Sequence, residues 1–97
     1  SGGNIQKMIL ARVFEQNQKL ILANQPTRGL DMGASAEVRR RLLKARTDGA
    51  AVVLISEDLD EVLALSDRIL VMHDGKLTAA ETRDRAHIGL LMAGTAA

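Results

Sequence analysis

Two uninterrupted apolar runs, Leu20-Ile21-Leu22-Ala23 and Val52-Val53-Leu54-Ile55, constrain this chain more than any other feature. Four apolar residues without alternation are what a strand covered on both faces requires, and such strands belong to parallel sheets flanked by helices. Between the runs, Ala34, Val38, Leu42 and Ala45 recur at helical spacing, and Gly49 behind Asp48 supplies a stop. Strand, helix, strand is the crossover unit that parallel pairing needs.

The flanks extend the pattern. Upstream, Ile5, Ile9 and Val13 with Met8 beside them predict a helix from Gly3 to about Phe14, ended by the polar run from Glu15 to Lys19. Downstream, Ser56 is placed to cap a helix whose first turn carries Glu57, Asp58, Asp60 and Glu61 and whose inner face carries Leu59, Val62 and Leu63. Asp74-Gly75 between two short runs is a two-residue hairpin signal. Thr82 stands where it would cap a last helix with Ile88, Leu91 and Met92 inside, stopped by Gly94. The order α-β-α-β-α-β-β-α predicts an α/β fold: a parallel core with an antiparallel appendix.

Composition removes several function classes. At 46% hydrophobic the 97-residue chain is too apolar to be disordered, yet long enough for only one small core. Thirteen Lys and Arg against twelve Asp and Glu leave a net charge of +1, so no field points at nucleic acid or an anionic membrane. Arg39-Arg40-Arg41 reads as the wet face of a helix. The absence of cysteine excludes disulfides and thiolate metal sites. Phe14 is the single aromatic residue, too little to stack bases. His73 and His87 have no partner at ligand spacing and are expected at a hairpin edge and on a helix surface.

Ser1-Gly2-Gly3 ahead of a helix has the makings of an anion site, because the first helical amides are unpaired and glycines let a ligand approach the backbone. Taken alone, these three residues read more simply as a helix cap or the remnant of an expression tag. Their context alters that. Ser1-Gly2-Gly3-Asn4, Gln6-Lys7 and then LARVF resemble the signature motif of ATP-binding cassette (ABC) proteins. LILANQPTRGLD resembles the family's Walker B strand and D-loop, and VVLISEDLDEVLALSDRILVMHDGKL its switch region and the hairpin beyond. Four motifs in order, at family spacing, cover nearly the whole chain. Residues 1–97 are thus identified with the C-terminal portion of an ABC nucleotide-binding domain, a partial P-loop NTPase core lacking the phosphate-loop strand. The wording most resembles the second cassette of fused two-cassette ATPases that energise importers of simple sugars or nucleosides.

The departures from that pattern are chemical. Where the family's Walker B strand ends in Asp-Glu, this chain has Asn24-Gln25. The aspartate helps hold Mg²⁺, which favours anionic oxygen, and Asn24 brings no charge. The glutamate is the family's general base, and Gln25 can orient a water but cannot take its proton. Losing such a base typically costs about 10²–10⁴-fold in rate. Glu57 replaces the switch histidine that meets the γ-phosphate, and a carboxylate facing phosphate is repulsive unless a cation or proton intervenes. Asn24 and Gln25 can also be read as corner residues that satisfy backbone groups. Asp31 is either the cap of the helix starting near Gly33 or the family's D-loop aspartate at a dimer interface.

In the family, two cassettes close head to tail on ATP. The resemblance therefore implies that Ser1, Gly2, Gly3, Asn4 and Gln6 touch the ATP of a partner cassette, while the site on this chain's own Walker B strand is poor in hydrolysis. It also implies ATP and Mg²⁺ as cofactors of the parent protein with none held by this segment alone, transmembrane permease subunits and, indirectly, a substrate-binding protein as partners, and a place on the cytoplasmic face of the membrane. Two other classes are alternatives: a DNA-linked cassette ATPase of repair or chromosome organisation, and a non-catalytic α/β interaction module. Because the family's phosphate-loop strand lies between the strands at Val52–Ile55 and Ile69–Met72, the expectation is that the hairpin shifts into that gap, or that the chain self-associates or exchanges elements.

Overall fold

The computed structural model describes residues 19–94. The expected first helix, Gly3 to Phe14, lies outside them. Two compact units divide the chain after Glu57.

In the first unit, β1 (Leu20–Asn24) and β2 (Ala51–Ile55) pair in parallel, from Leu20 opposite Ala51 to Asn24 opposite Ile55. The crossover helix α1 (Met32–Thr47) joins them and packs on β2. It starts at Asp31, whose side chain accepts the Ala34 amide at 2.7 Å, and ends at Asp48. Ala34, Val38 and Leu42 form its buried stripe, and Ile21 and Ala23 are buried on β1. Arg40 and Arg41 both donate to the Glu37 carboxylate, at 2.7–3.0 Å, along the exposed side of α1. Two of the three arginines of the run thus share one glutamate along the wet side of the helix.

The apolar runs differ from expectation in one respect. Side chains alternate across a strand, and one crossover helix covers only one face. Leu20 and Leu22 on β1 are 62% and 67% exposed, and Val53 and Ile55 of β2 lie on the same face, about half exposed. Among the described residues, the parallel pair is thus buried on one side rather than both.

The second unit opens with α2 (Leu59–Leu65). Asp58, not Ser56, caps it, accepting the Glu61 amide at 3.2 Å. The chain stays non-helical through Asp58, which puts Ser56 too far back to reach the orphan amides. Next come β3 (Leu70–His73) and β4 (Lys76–Ala79), antiparallel, with His73 opposite Lys76. Asp74 and Gly75 both have positive φ, 50° and 75°, the geometry of the tight turn that matches strand twist. The last helix, α3 (Arg85–Met92), is capped by Asp84, which accepts the His87 amide at 3.3 Å. Thr82 sits two residues back and accepts the Asp84 amide at 3.1 Å, so it braces the cap instead of being it.

Ile69, Val71 and Ile88 form this unit's core, with Leu59, Val62, Leu63, Ala80 and Leu91 packed around them. Arg83 donates to the carbonyls of Ser66 (2.7 Å) and Leu63, satisfying the C-terminal end of α2. His73 Nδ1 meets the Met92 carbonyl at 3.1 Å, and since a carbonyl only accepts, Nδ1 carries the proton. The two strand pairs form separate two-stranded sheets.

Candidate functional site

The C-terminal ends of parallel strands are where α/β sheets present their functional loops. Here β1 ends at Asn24 and β2 at Ile55, directly opposite one another. Parallel pairing thus carries Asn24 and Gln25 to the same edge as Glu57, which is more than thirty residues away in the chain.

Gln25 is the pivot. Its φ of 49° is a left-handed conformation, uncommon outside glycine, asparagine and aspartate. The turn redirects the chain while keeping the ladder intact, since the Gln25 amide donates to the Ile55 carbonyl at 2.7 Å. The Gln25 carbonyl then accepts the Arg28 amide at 3.2 Å, closing a turn through buried Pro26. The Gln25 side chain points the other way along the site: its Oε1 accepts the backbone amide of Glu57 at 3.3 Å. Arg28 Nη2 donates to Glu57 Oε2 at 3.4 Å. Both ends of this pair are well exposed, 66% and 81%, so solvent screens it and it adds at most about 1 kcal/mol.

Three of the residues singled out by sequence therefore converge. Asp31 stands one turn further on, at the start of α1, where it is engaged as a helix cap. That geometry accounts for the residue without a partner chain, and a role at an interface would be additional. Ser1, Gly2, Gly3, Asn4 and Gln6 lie outside the described residues. Arg28 is the participant that sequence reasoning passed over as turn chemistry. The signal was available in charge alone: an arginine in the segment that follows β1, and a glutamate in the segment that follows β2.

The donor set decides what the strand end can hold. Asn24 offers a neutral amide oxygen, the Gln25 oxygen is committed to a backbone amide, and the Glu57 carboxylate faces a guanidinium. Mg²⁺ wants several hard, preferably anionic oxygens, so these residues are not a metal site by themselves. No group of three or more His, Cys, Asp or Glu side chains among the described residues is placed to hold a metal ion. His73 is exposed on the hairpin, as expected, but His87 on α3 is half-buried with its Nε2 shielded from solvent rather than lying on the helix surface.

A parallel strand–helix–strand unit followed by an antiparallel hairpin is the α/β architecture of part of an ABC ATPase domain. Over 96% of its length the chain matches 36% of MJ1267, an ATP-binding cassette of an ABC transporter solved in its ADP conformation, with a TM-score of 0.70 and 27% sequence identity. In sequence it is 54% identical to the glucose import ATP-binding protein TsgD13 of Haloferax volcanii, over 97% of this chain and 18% of that protein. It is 48% identical to the nucleoside import ATP-binding protein NupA of Lactococcus lactis, over 97% of this chain and 19% of that protein. Against the ribose import ATP-binding protein RbsA 1 of Streptomyces coelicolor the identity is also 48%, over 96% and 18%. The chain thus spans about a fifth of the length of the curated relatives it matches. No family model matches the chain.

Proposed function

We propose that the chain is a segment of the ATP-binding subunit of an importer for simple sugars or nucleosides, belonging to a second, degenerate cassette. Ser1, Gly2, Gly3, Asn4 and Gln6 lend the signature edge to ATP held by a partner cassette, through backbone amides and a hydroxyl. Asp31 adds a contact at the same interface besides capping α1. The parent protein works with ATP and Mg²⁺, next to transmembrane permease subunits and, through them, a substrate-binding protein, on the cytoplasmic face of the membrane. Among the described residues, no helix is long and apolar enough to cross a membrane.

The observation that carries the degenerate half of this proposal is the strand-end cluster. Hydrolysis needs an acceptor for the proton of the attacking water, and an amide side chain has no basic lone pair to offer. Gln25 stands at that position with its oxygen already bonded to the Glu57 amide. Glu57, in turn, sets a carboxylate where a phosphate would have to approach, and Arg28 balances it. Such a strand end binds and orders; it does not abstract a proton.

The test uses the full-length protein in its transporter. Ser1→Arg should abolish transport, because a long cation displaces the hydroxyl and blocks the amides. Gln25→Ala should leave most of the transport rate. Equal damage from the two substitutions would remove the asymmetry on which the proposal rests.

A further inference from the structure

We propose that Gln25 and Arg28 form a two-point brace on Glu57 that locks the segment following β2 to the turn following β1. One point is the Gln25 Oε1 acceptor for the Glu57 amide, at 3.3 Å; the other is the Arg28 guanidinium on the Glu57 carboxylate, at 3.4 Å. The brace is anchored from behind, because Gln25 is itself fixed to β2 through its amide and the Ile55 carbonyl, at 2.7 Å. Arg28 is fixed to Gln25 by the 3.2 Å turn bond. Four hydrogen bonds thus close a ring through residues 25, 28, 55 and 57. The left-handed φ of 49° at Gln25 is the strained element of that ring. Such strain persists only where the surroundings over-determine the conformation, and here the ring does so.

The brace assigns Gln25 a positioning role. Its side-chain oxygen holds a neighbouring backbone segment, and a water at the same edge would have to compete for that oxygen. Arg28 has the second positioning role, keeping the Glu57 carboxylate turned onto a cation. The hydrogen bonds carry the brace itself; its meaning for hydrolysis rests on the function proposed above.

Amide hydrogen exchange resolved at single residues in the full-length protein tests the brace without ATP. Gln25→Ala should speed exchange at the Glu57 amide by about five- to tenfold, the usual effect of losing one hydrogen bond, and leave Leu54 in β2 unchanged. Gln25→Glu keeps an acceptor at the same reach and should keep Glu57 protected. Gln25→Gly removes the side chain while relieving the left-handed strain, and should also deprotect Glu57. Unchanged exchange at Glu57 in both the Ala and the Gly variants would overturn the brace, as would loss of protection in the Glu variant. Deprotection in the Ala variant alone would trace the effect to strain and overturn it equally. A brace seen in exchange alongside a transport loss in Gln25→Ala as large as that in Ser1→Arg would instead sink the degenerate-cassette reading and leave the brace standing.

Discussion

Asp31 and Gly94 show how single residues set the ends of elements. The Asp31 carboxylate takes one of the four amides that a helix start leaves unpaired. Asp31→Ala should cost about 1 kcal/mol in chemical denaturation, whereas Asp31→Asn, an equally good cap, should cost little. Gly94 follows the last turn of α3 with φ of 80°, and a β-carbon there would lie 2.4 Å from His73 Nε2. The ring cannot simply swing aside, because its Nδ1 is bonded to the Met92 carbonyl. Gly94→Ala should therefore destabilise by roughly 1–3 kcal/mol, the sum of backbone strain and a forced contact. In a His73→Ala background the contact part should disappear and the backbone part remain, a difference that a double-mutant cycle in urea reads directly.

At the scale of elements, α1 carries a pH-dependent feature. Hydrogen bonds from Arg40 and then Arg41 pull the Glu37 carboxyl from its ordinary 4.5 down to about 2. A group with a depressed folded pKa contributes its stability above the unfolded value and loses it as pH falls through the folded one. Glu37 should thus support α1 fully above about pH 5 and progressively less from pH 4.5 to 2. Thermal midpoints of the protein and of Glu37→Gln, compared across that range, should differ most at the upper end and converge near pH 2. Because Glu37 is at the surface, high salt should shrink the difference.

Most elements were legible in the order of residues. The apolar runs became β1 and β2, the stripe from Ala34 to Ala45 became α1, and Asp74-Gly75 became the hairpin turn. The two misplaced caps share a cause. Ser56 and Thr82 are good cap types, but each is followed within two residues by an aspartate that also caps well, and the helix began after the aspartate. Propensity cannot choose between two adequate caps, since the choice depends on where the preceding strand or loop releases the chain.

At the scale of the whole molecule, the function proposed above predicts that hydrolytic chemistry can be put back at the strand end. In the full-length protein, Asn24→Asp, Gln25→Glu and Glu57→His together should raise ATP hydrolysis, on the order of 10²-fold at this site, by returning a proton acceptor and removing a repulsive carboxylate. Gln25→Glu alone should give less, since the new carboxylate shares its edge with that of Glu57, and Arg28 offers one guanidinium for both. A steady-state ATPase assay in which the triple variant stays at the starting rate would show that the defect lies elsewhere.

The division between sequence and structure falls along the range of the interactions. Hydrophobic period, turn chemistry and charge balance act over a few residues, and they determined the α/β class, the order of the elements from β1 onward and the hairpin turn. Which face of β1 and β2 is buried, that Gln25 turns left-handed onto the Glu57 amide, and that Arg28 meets Glu57 were decided only in three dimensions. Those contacts join residues about thirty positions apart, and only the parallel pairing of Asn24 with Ile55 brings them within a hydrogen bond of one another.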